Sequence, residues 1–318
     1  MRAVFMGTPD FAVPVLEALC EGPAVEVVAV YTPPDRPRGR GQEIESPPVK
    51  VAATSLDLPV FQPASLRSSD IQEELSALQS DVIVVAAYGK LLPPKVLEMP
   101  PFGCLNIHPS LLPKYRGPSP VVATILDGLC ETGVTLMLLD EGMDTGPLLA
   151  QARMALTGTE TAETLTQELF KVGGELLLAT LGQWTSGLLE ASPQDHSQAT
   201  VTSKLARSDG MVDWMLAASI LERMQRAYTP WPGLYTEWEG KSLRLLEVTL
   251  PNSLGAEVSC PSAGPGEVVD IGFDEATLGI GTADGILGIR TLQLEGRRAT
   301  SAAEFLRGYP QFLGSVLS

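Results

Sequence analysis

An asparagine and a histidine stand two residues apart where an apolar run gives way to a turn. Asn106 and His108 flank Ile107, and Pro109 follows them. Successive side chains of a β-strand point to opposite faces, so a strand here places Asn106 and His108 on one face. A carboxamide beside a titratable imidazole suits a carbonyl group whose oxygen gains negative charge during a reaction. The pair therefore predicts an active site at the end of a strand.

A carboxylate is the expected third member of this site, because it would orient or charge the imidazole. Asp144 is the candidate, since Gly142 and Gly146 on either side let the backbone approach closely. An acidic surface turn explains the same residues and is the simpler interpretation. The sequence contains no serine nucleophile elbow, Walker A loop or metal-ligand cluster, so no metal is expected. An Asn/His/Asp set without a nucleophile predicts direct transfer, in which the substrate supplies the attacking atom.

The elements that must position these residues alternate between strand and helix. Apolar runs predict strands at 2–6, 25–31 and 81–87, with helical patterns between them. This alternation predicts an α/β fold with a doubly wound, mostly parallel Rossmann-like sheet, which binds ligands at the carboxyl ends of its strands. The first turn reads Gly-Thr-Pro-Asp at 7–10, so the GxGxxG fingerprint of dinucleotide-binding proteins is absent.

The second half of the chain changes character. Strands at 132–139 and 148–155 predict a hairpin with an acidic connection, and 161–184 predicts a long amphipathic helix. A polar stretch follows, in which we expect His196 to be exposed to solvent. Short β-runs separated by Gly and Pro then predict a small antiparallel, OB-like barrel. The expected division is a catalytic domain at 1–188, a linker at 189–208 and a C-terminal barrel domain at 209–318.

Composition limits the classes of function. The 318 residues include 22 basic and 38 acidic side chains, a formal net charge of −16. An acidic chain is a poor general binder of nucleic acid, because phosphate contacts supply most non-specific affinity. No uncharged run approaches a membrane span, so no membrane partner is expected. Four scattered cysteines without CxxC spacing favour a reducing, cytoplasmic setting over a zinc site.

Two stretches oppose the acidic balance. A loop rich in Pro and Gly follows the second strand and carries Arg36, Arg38 and Arg40, which could grip a phosphate-bearing substrate. A solvated surface loop explains these arginines too, and the residues alone favour that interpretation. A second basic stretch, 86–116, contains a single acidic residue, and a set of solvated lysines is an equal alternative there. Its basic residues are Lys90, Lys95, Lys114 and Arg116.

The segment from Asn106 to Gly117 resembles the folate-dependent formyltransferase family. It follows the pattern N-x-H-x-S-L-L-P-x-x-R-G, and 140–146 is similar to that family's D-x-G-x-D-T-G motif. The resemblance covers nearly the full length of the chain. The arginine loop and a Pro-Trp-Pro-Gly segment make the tRNA-modifying branch the best fit. Further similar stretches are 6–12, 34–41, 85–93 and 226–233.

The resemblance implies an enzyme that transfers a formyl group from 10-formyltetrahydrofolate to the α-amino group of methionyl initiator tRNA. We expect a monomer, although the sequence does not give the oligomeric state. Asn106 and His108 would stabilise the developing oxyanion, and Asp144 would orient His108 and help to move the proton. The folate would contact Tyr88, Gly89, Ser110, Leu111, Leu112 and Pro113. The tRNA would contact Arg36, Arg38, Arg40, Lys114 and Arg116.

Three other functions fit parts of the sequence. A sugar-nucleotide N-formyltransferase would use the same Asn/His/Asp set and the same folate donor, but it has no need of the arginine loop. An oxidoreductase fits the doubly wound start, although the missing GxGxxG fingerprint counts against it. A non-catalytic RNA-binding module is disfavoured by the acidic net charge and by the Asn/His/Asp set.

Overall fold

The computed structural model describes residues 1–38, 43–251, 262–272 and 278–318. The chain forms two compact units, and each is assembled from separate stretches of sequence. The predicted domain limits stay a proposal. The first unit comprises Met1–Pro120, Glu131–Leu156 and Thr164–Ser203, and the second comprises Val121–Cys130, Thr157–Glu163 and Lys204–Ser318.

The first unit is built on a seven-stranded sheet. In chain order its strands are β1 (Arg2–Gly7), β2 (Glu26–Tyr31), β3 (Arg36–Arg38), β4 (Glu43–Glu45), β5 (Val60–Phe61), β6 (Val82–Ala86), β7 (Cys104–His108), β8 (Glu131–Leu138) and β9 (Leu148–Ala155). The sheet order is β5-β2-β1-β6-β7-β8-β9, while β3 and β4 form a separate hairpin. The first five strands of that order are parallel, and β8 and β9 are antiparallel. The predicted mostly parallel sheet is confirmed.

The order of the strands fixes where a ligand can bind. The chain runs from β1 to β2 on one side and later returns to β6 on the other side of β1. Crossovers that leave in opposite directions open a crevice at the carboxyl ends of the strands. Every residue of β6 is buried, as expected for a parallel strand covered on both faces. The residues that follow β6 and β7 are therefore delivered to this crevice.

The helices of the first unit cover its sheet. In chain order the helices are α1 (Val13–Glu21), α2 (Pro48–Ser55), α3 (Ser69–Ala77), α4 (Pro94–Leu97), α5 (Pro120–Leu126), α6 (Ala162–Thr185), α7 (Ala218–Ala227) and α8 (Ala302–Gly308). Of these, α7, α8 and α5 after Pro120 belong to the second unit. Gly173 of α6 packs so closely on β7 that a Cβ there would lie 2.6 Å from Cγ2 of Ile107. Ile107 thus faces the helix layer. Among the described residues, no helix has both the length and the apolar character needed to cross a membrane.

The second unit contains a six-stranded antiparallel sheet. Its strands are β10 (Leu234–Trp238), β11 (Lys241–Thr249), β12 (Val268–Asp270), β13 (Leu278–Gly281), β14 (Ile286–Leu294) and β15 (Thr300–Ser301). The order is β10-β11-β14-β13-β12, with β15 on β14. Trp238 packs edge-on against Phe305 and Phe312, which anchors α8 and the residues after it to the sheet. The predicted fold class, α/β with an antiparallel C-terminal sheet, is confirmed, although β10 and α8 were not predicted.

Two short strands flank part of the arginine loop. β3 and β4 pair antiparallel in the register Arg36 to Glu45 and Arg38 to Glu43. Arg36 and Glu45 carry opposite charges on facing positions, and such a pair stabilises a hairpin. Two of the predicted tRNA contacts are not covered by the description: Arg40 lies outside the described residues, and only the backbone of Arg38 is described.

Candidate active site

The strand β7 delivers Asn106 and His108 to the crevice. Asn106 lies beside Val85 of β6, and His108 lies opposite Thr135 of β8. Ile107, between them, contacts the helix layer on the other face of the sheet. Asn106 is half-buried and lines a cavity at the carboxyl ends of the strands. His108 is only 4% exposed. The strand therefore presents the amide to the cavity and holds the imidazole beside it in the protein interior.

The hydrogen bonds of His108 define its tautomer. Its Nε2 lies 3.0 Å from the carbonyl oxygen of Tyr115. A carbonyl oxygen can only accept, so Nε2 carries the proton of the neutral ring and Nδ1 is left with a lone pair. Nδ1 lies 3.7 Å from Oδ2 of Asp144. A proton that arrives at Nδ1 would therefore form an ion pair with this carboxylate.

Asp144 is held in place by its backbone as well as by its side chain. It has a φ of 54°, in the left-handed region that non-glycine residues rarely adopt. Its Oδ2 accepts a hydrogen bond of 2.8 Å from the backbone N–H of Gly117. Ala87 (φ 49°) and Tyr115 (φ 59°) adopt the same strained conformation nearby in the site. Such residues persist where the surrounding structure over-determines the backbone, and they cluster at active sites.

Burial controls the charge of the imidazole. Burial lowers the pKa of His108 below its ordinary value of 6.5, while the charge of Asp144 and the bond to Tyr115 oppose that effect. The resting ring is therefore neutral at neutral pH, with Nδ1 free to accept a proton. The nearby carboxylate then stabilises the imidazolium that forms. This arrangement suits a general base that takes a proton from an attacking nucleophile.

A cavity of about 940 Å³ opens beside these residues. Its walls come from the segment that follows β6, from Asn106, and from the connection between β8 and β9. Leu92, Leu97 and Leu139 supply apolar surface. The basic side chains that line it are Arg67, Lys90 and Lys95, and the acidic ones are Asp140, Glu141 and Asp144. Its size is in the range of small-molecule sites.

The predicted folate residues divide into two groups. Tyr88 and Gly89 line the cavity, as their position after β6 requires. The four residues Ser110–Pro113 are not among its lining residues. Ser110 is fully buried, and its Oγ donates to the carbonyl oxygen of Lys114. Leu112 is buried as well. Their contact with folate stays a prediction based on the resemblance.

A buried polar network fixes the turn that follows His108. Oγ1 of Thr135 donates to the carbonyl oxygen of Ser110 and accepts from the N–H of Leu112. Nε2 of Gln151 donates to that same hydroxyl and to the carbonyl oxygen of Leu112. The sequence did not single out Thr135 or Gln151. Only their positions on the face of the hairpin that meets β7 could have suggested this role.

The predicted tRNA residues also have different surroundings. Arg36 and Lys114 are exposed. Burial, and then the positive charge of Arg36, lowers the pKa of Lys90, which places Arg36 within electrostatic reach of the cavity's basic side. The structure does not favour the predicted contact of Arg116 with tRNA, because Arg116 is only 6% exposed and its guanidinium donates to Oε1 of Gln194. A guanidinium committed in this way is not displayed to an external phosphate.

The predicted linker packs against the active site over part of its length. The backbone of Ser192 pairs with Leu148 at the start of β9. Thr200 accepts from the N–H of Tyr115 through its Oγ1 and from the N–H of Arg116 through its carbonyl oxygen. His196 is exposed, as expected, although its Nδ1 accepts from Arg116. The polar composition that suggested a linker instead supplies hydrogen bonds to the loops of the site.

The chain is similar to known proteins along nearly its whole length. A methionyl-tRNA formyltransferase of Chloroflexus aurantiacus is 48% identical over 308 residues, which is 97% of this chain and 97% of that protein. One from Desulforamulus reducens is 39% identical over 317 residues, covering 100% and 98%. Both alignments span nearly the whole length of this chain and of the relative.

Solved structures share the fold at lower identity. An N-formyltransferase of Helicobacter canadensis, in complex with folinic acid and dTDP-3-aminofucose, has a TM-score of 0.65 at 19% identity and covers 90% of this chain and 97% of its own. HypX from Aquifex aeolicus, in complex with tetrahydrofolic acid, has a TM-score of 0.63 at 21% identity. It covers 99% of this chain, which spans 48% of HypX.

Family models match both units. Residues 1–181 match the formyl transferase model, which includes Asn106, His108 and Asp144, and residues 204–310 match the C-terminal domain model of the same family. The resemblance predicted from the central motif is thus confirmed over most of the chain. With the relatives above, these matches show that the chain belongs to the formyl transferase family.

Proposed function

We propose that this chain transfers a formyl group from 10-formyltetrahydrofolate to the α-amino group of methionyl initiator tRNA. The observation that carries the proposal is a cavity lined by Asn106 and Asp144, with His108 3.7 Å from Asp144, in a chain 48% identical to a methionyl-tRNA formyltransferase. The choice of the initiator tRNA and of the 10-formyl donor belongs to the proposal. A monomer in the cytoplasm is also part of it.

The cavity suits a reduced folate. Such a molecule combines a flat bicyclic ring, a benzoyl group and a dicarboxylate tail. The apolar wall can cover the rings, while Arg67, Lys90 and Lys95 offer positive charge for the carboxylates. Nζ of Lys90 is held by the carbonyl oxygens of Pro63 and Ala64, so its charge has a fixed place. The acidic side of the cavity can accept hydrogen bonds from the ring N–H groups.

The geometry supports direct attack by the amine. An α-amine has an ordinary pKa of about 8, so a useful neutral fraction is present at neutral pH. The new C–N bond places negative charge on the formyl oxygen, and the carboxamide of Asn106 donates to this oxyanion. The amine proton passes to Nδ1 of His108, directly or through one water molecule. Collapse of the intermediate breaks the bond to N10 of the folate, and the proton from Nδ1 goes to that nitrogen.

This pathway assigns His108 a different first role from the one the resemblance suggested. A neutral ring that donates through Nε2 to Tyr115 offers an acceptor at Nδ1, so it cannot donate to an oxyanion at the start. It becomes a donor once Nδ1 is protonated. Asp144, 3.7 Å away, stabilises the imidazolium during that interval. Asn106 is therefore the oxyanion donor, and His108 with Asp144 moves the proton.

A competition of acceptors tests the proposal. Formyl-labelled 10-formyltetrahydrofolate is incubated with the enzyme and either charged initiator methionyl-tRNA or a dTDP-linked amino sugar. We expect label on the methionine of the tRNA and none on the sugar. Label on the sugar alone would replace this proposal with the sugar-nucleotide alternative. Absence of label on either acceptor, with folded enzyme, would refute formyl transfer from this donor.

The exposed arginine of the hairpin provides a second test of the acceptor. We propose that Arg36 contacts the tRNA, since it is exposed near the basic side of the cavity. Arg36→Ala should raise the KM for methionyl-tRNA and leave the KM for the folate within about twofold. Arg2 is the control, because it is exposed at the amino end of β1, whereas the cavity lies at the carboxyl ends of the strands. Equal KM values for Arg36→Ala and Arg2→Ala would exclude the contact.

A further inference from the structure

We infer that Gln194 is a positioning residue for formyl transfer, because it ties together the two loops that hold His108 and Asp144. The His108 loop is the segment 109–119 after β7, and the Asp144 loop is the segment 139–147 between β8 and β9. Gln194 belongs to neither, since it reaches both from the 192–202 segment. The inference rests on the proposed function.

The side chain of Gln194 uses its full hydrogen-bonding capacity. Its Nε2 donates to the carbonyl oxygens of Asp144 (2.9 Å) and Gly146 (2.7 Å). Its Oε1 accepts from Nε (3.1 Å) and Nη2 (2.6 Å) of Arg116. The amide orientation follows from its partners, because a guanidinium can only donate and carbonyl oxygens can only accept. Gln194 is 5% exposed, so none of these bonds competes with bulk water.

Gln194 stabilises the strained backbone of Asp144. Asp144 occupies a left-handed conformation, which is strained for a non-glycine residue. Gln194 holds the carbonyl of Asp144 itself, so it constrains the peptide from which the carboxylate projects. The carboxylate then meets the N–H of Gly117 at 2.8 Å and Nδ1 of His108 at 3.7 Å. Release of the carbonyl would let the carboxylate move away from the imidazole.

The other end of the bridge is equally fixed. Arg116 is buried, and its backbone N–H donates to the carbonyl oxygen of Thr200. The backbone of Thr202 donates in turn to the carbonyl oxygen of Arg116. Nη2 of Arg116 also meets Nδ1 of His196 at 3.0 Å. The 192–202 segment therefore binds both the backbone and the side chain of Arg116. Through Gln194, the same segment also binds the Asp144 loop.

The substitution Gln194→Glu separates the two ends of the bridge. A carboxylate keeps its contact with Arg116, now as an ion pair, but it cannot donate to Asp144 or Gly146. We expect kcat to fall about 10- to 100-fold, since a misplacement of about 1 Å can cost up to about 100-fold. KM for the folate should stay within about twofold. Gln198→Glu is the matched control, since Gln198 is an exposed residue of the same segment.

A double-mutant cycle distinguishes positioning from general damage. If Gln194 acts through the carboxylate of Asp144, then Gln194→Glu should change kcat less than about threefold in an Asp144→Asn background. Gln194→Met in the same cycle guards against an effect of the new charge. A 10- to 100-fold loss that multiplies with Asp144→Asn would overturn the inference. So would a Gln194→Glu enzyme that is folded and has wild-type kcat.

A readout without substrate keeps the inference independent of the proposed function. The chain has two histidines, so its imidazole Cε1–H NMR signals are two and can be assigned by removing His196. The signal of His108 should move in the same direction in Gln194→Glu and Asp144→Asn, and stay in Gln198→Glu. If the wild-type protein transfers no formyl group but this signal moves, the proposed function fails and the bridge stands. An unmoved signal refutes the bridge.

Discussion

Removing the charge of Asp144 without disturbing its backbone tests the proton pathway most directly. Asparagine is among the few residues that adopt the left-handed conformation readily, so Asp144→Asn suits the observed φ of 54°. Its Oδ1 can still accept from the N–H of Gly117, which now meets the aspartate at 2.8 Å. The substitution therefore removes the negative charge beside His108 and little else.

The structure sets the expected size of the effect. Two unit charges 3.7 Å apart in a medium of effective dielectric constant about 20 attract by about 4–5 kcal/mol. The side chain of Asp144 is 16% exposed, so water screens the pair only in part. With the proton about half transferred in the transition state, about 2 kcal/mol of that attraction acts on the barrier. Since about 1.4 kcal/mol corresponds to a factor of ten, kcat should fall about 30- to 100-fold.

The assay is formyl transfer to methionyl-tRNA from pH 5.5 to 8.5 under saturating folate. Asp144 raises the pKa of His108, so the acid limb of kcat/KM should move to lower pH in Asp144→Asn. Asp57→Asn is a matched control, because Asp57 is exposed and has a φ of 55°. A kcat within threefold of wild type and an unmoved acid limb, in a folded enzyme, would refute the role of the carboxylate.

Three further predictions follow from the same contacts. Asn106→Ala should lower kcat about 10²- to 10³-fold, as the loss of one oxyanion donor does. Steady-state kinetics measure this loss, and a wild-type unfolding curve for the variant would show that the loss is catalytic and not a loss of stability. Because burial lowers the pKa of His108, the unfolded chain binds a proton that the folded chain refuses as pH falls below 6.5. The free energy of unfolding should therefore drop from pH 7.5 to 5.5, and urea titrations of His108→Gln should show a smaller drop. An equal drop in the variant and the wild type would contradict the role of His108. Gly173→Ala places a methyl group 2.6 Å from Ile107 and should destabilise by about 1–3 kcal/mol. Gly182→Ala in the same helix meets no atom within 4 Å and should stabilise by about 0.5–1 kcal/mol; equal effects in denaturation would exclude the close contact.

The strand β7 shows what the sequence alone can predict. The alternation around Ile107 was enough to place Asn106 and His108 together, because the period of a strand is a local property of the chain. The apolar run of β6 and the alternation of strands and helices were enough to predict a parallel sheet with a site at its carboxyl edge. These inferences need no knowledge of distant partners.

Other features of the site depend on partners far away in the sequence. Arg116 looked like part of a basic surface, but Gln194, 78 residues later, buries and binds it. The polar stretch that contains Gln194 looked like a linker, since hydrogen-bonding side chains leave no periodic pattern that distinguishes a free segment from a packed one. The pairing of β3 with β4 could not be predicted either, because cross-strand register is set only when the hairpin forms.

The sequence by itself determined the family, the sheet and the strand that carries both Asn106 and His108, because each follows from local pattern. The tertiary structure alone decided how the proton can move. The carbonyl of Tyr115 fixes the proton of His108 on Nε2 and leaves Nδ1 to face Asp144. A hydrogen bond between two loops and a backbone strained at φ 54° have no signature in the order of residues, since both arise only when distant segments are packed together.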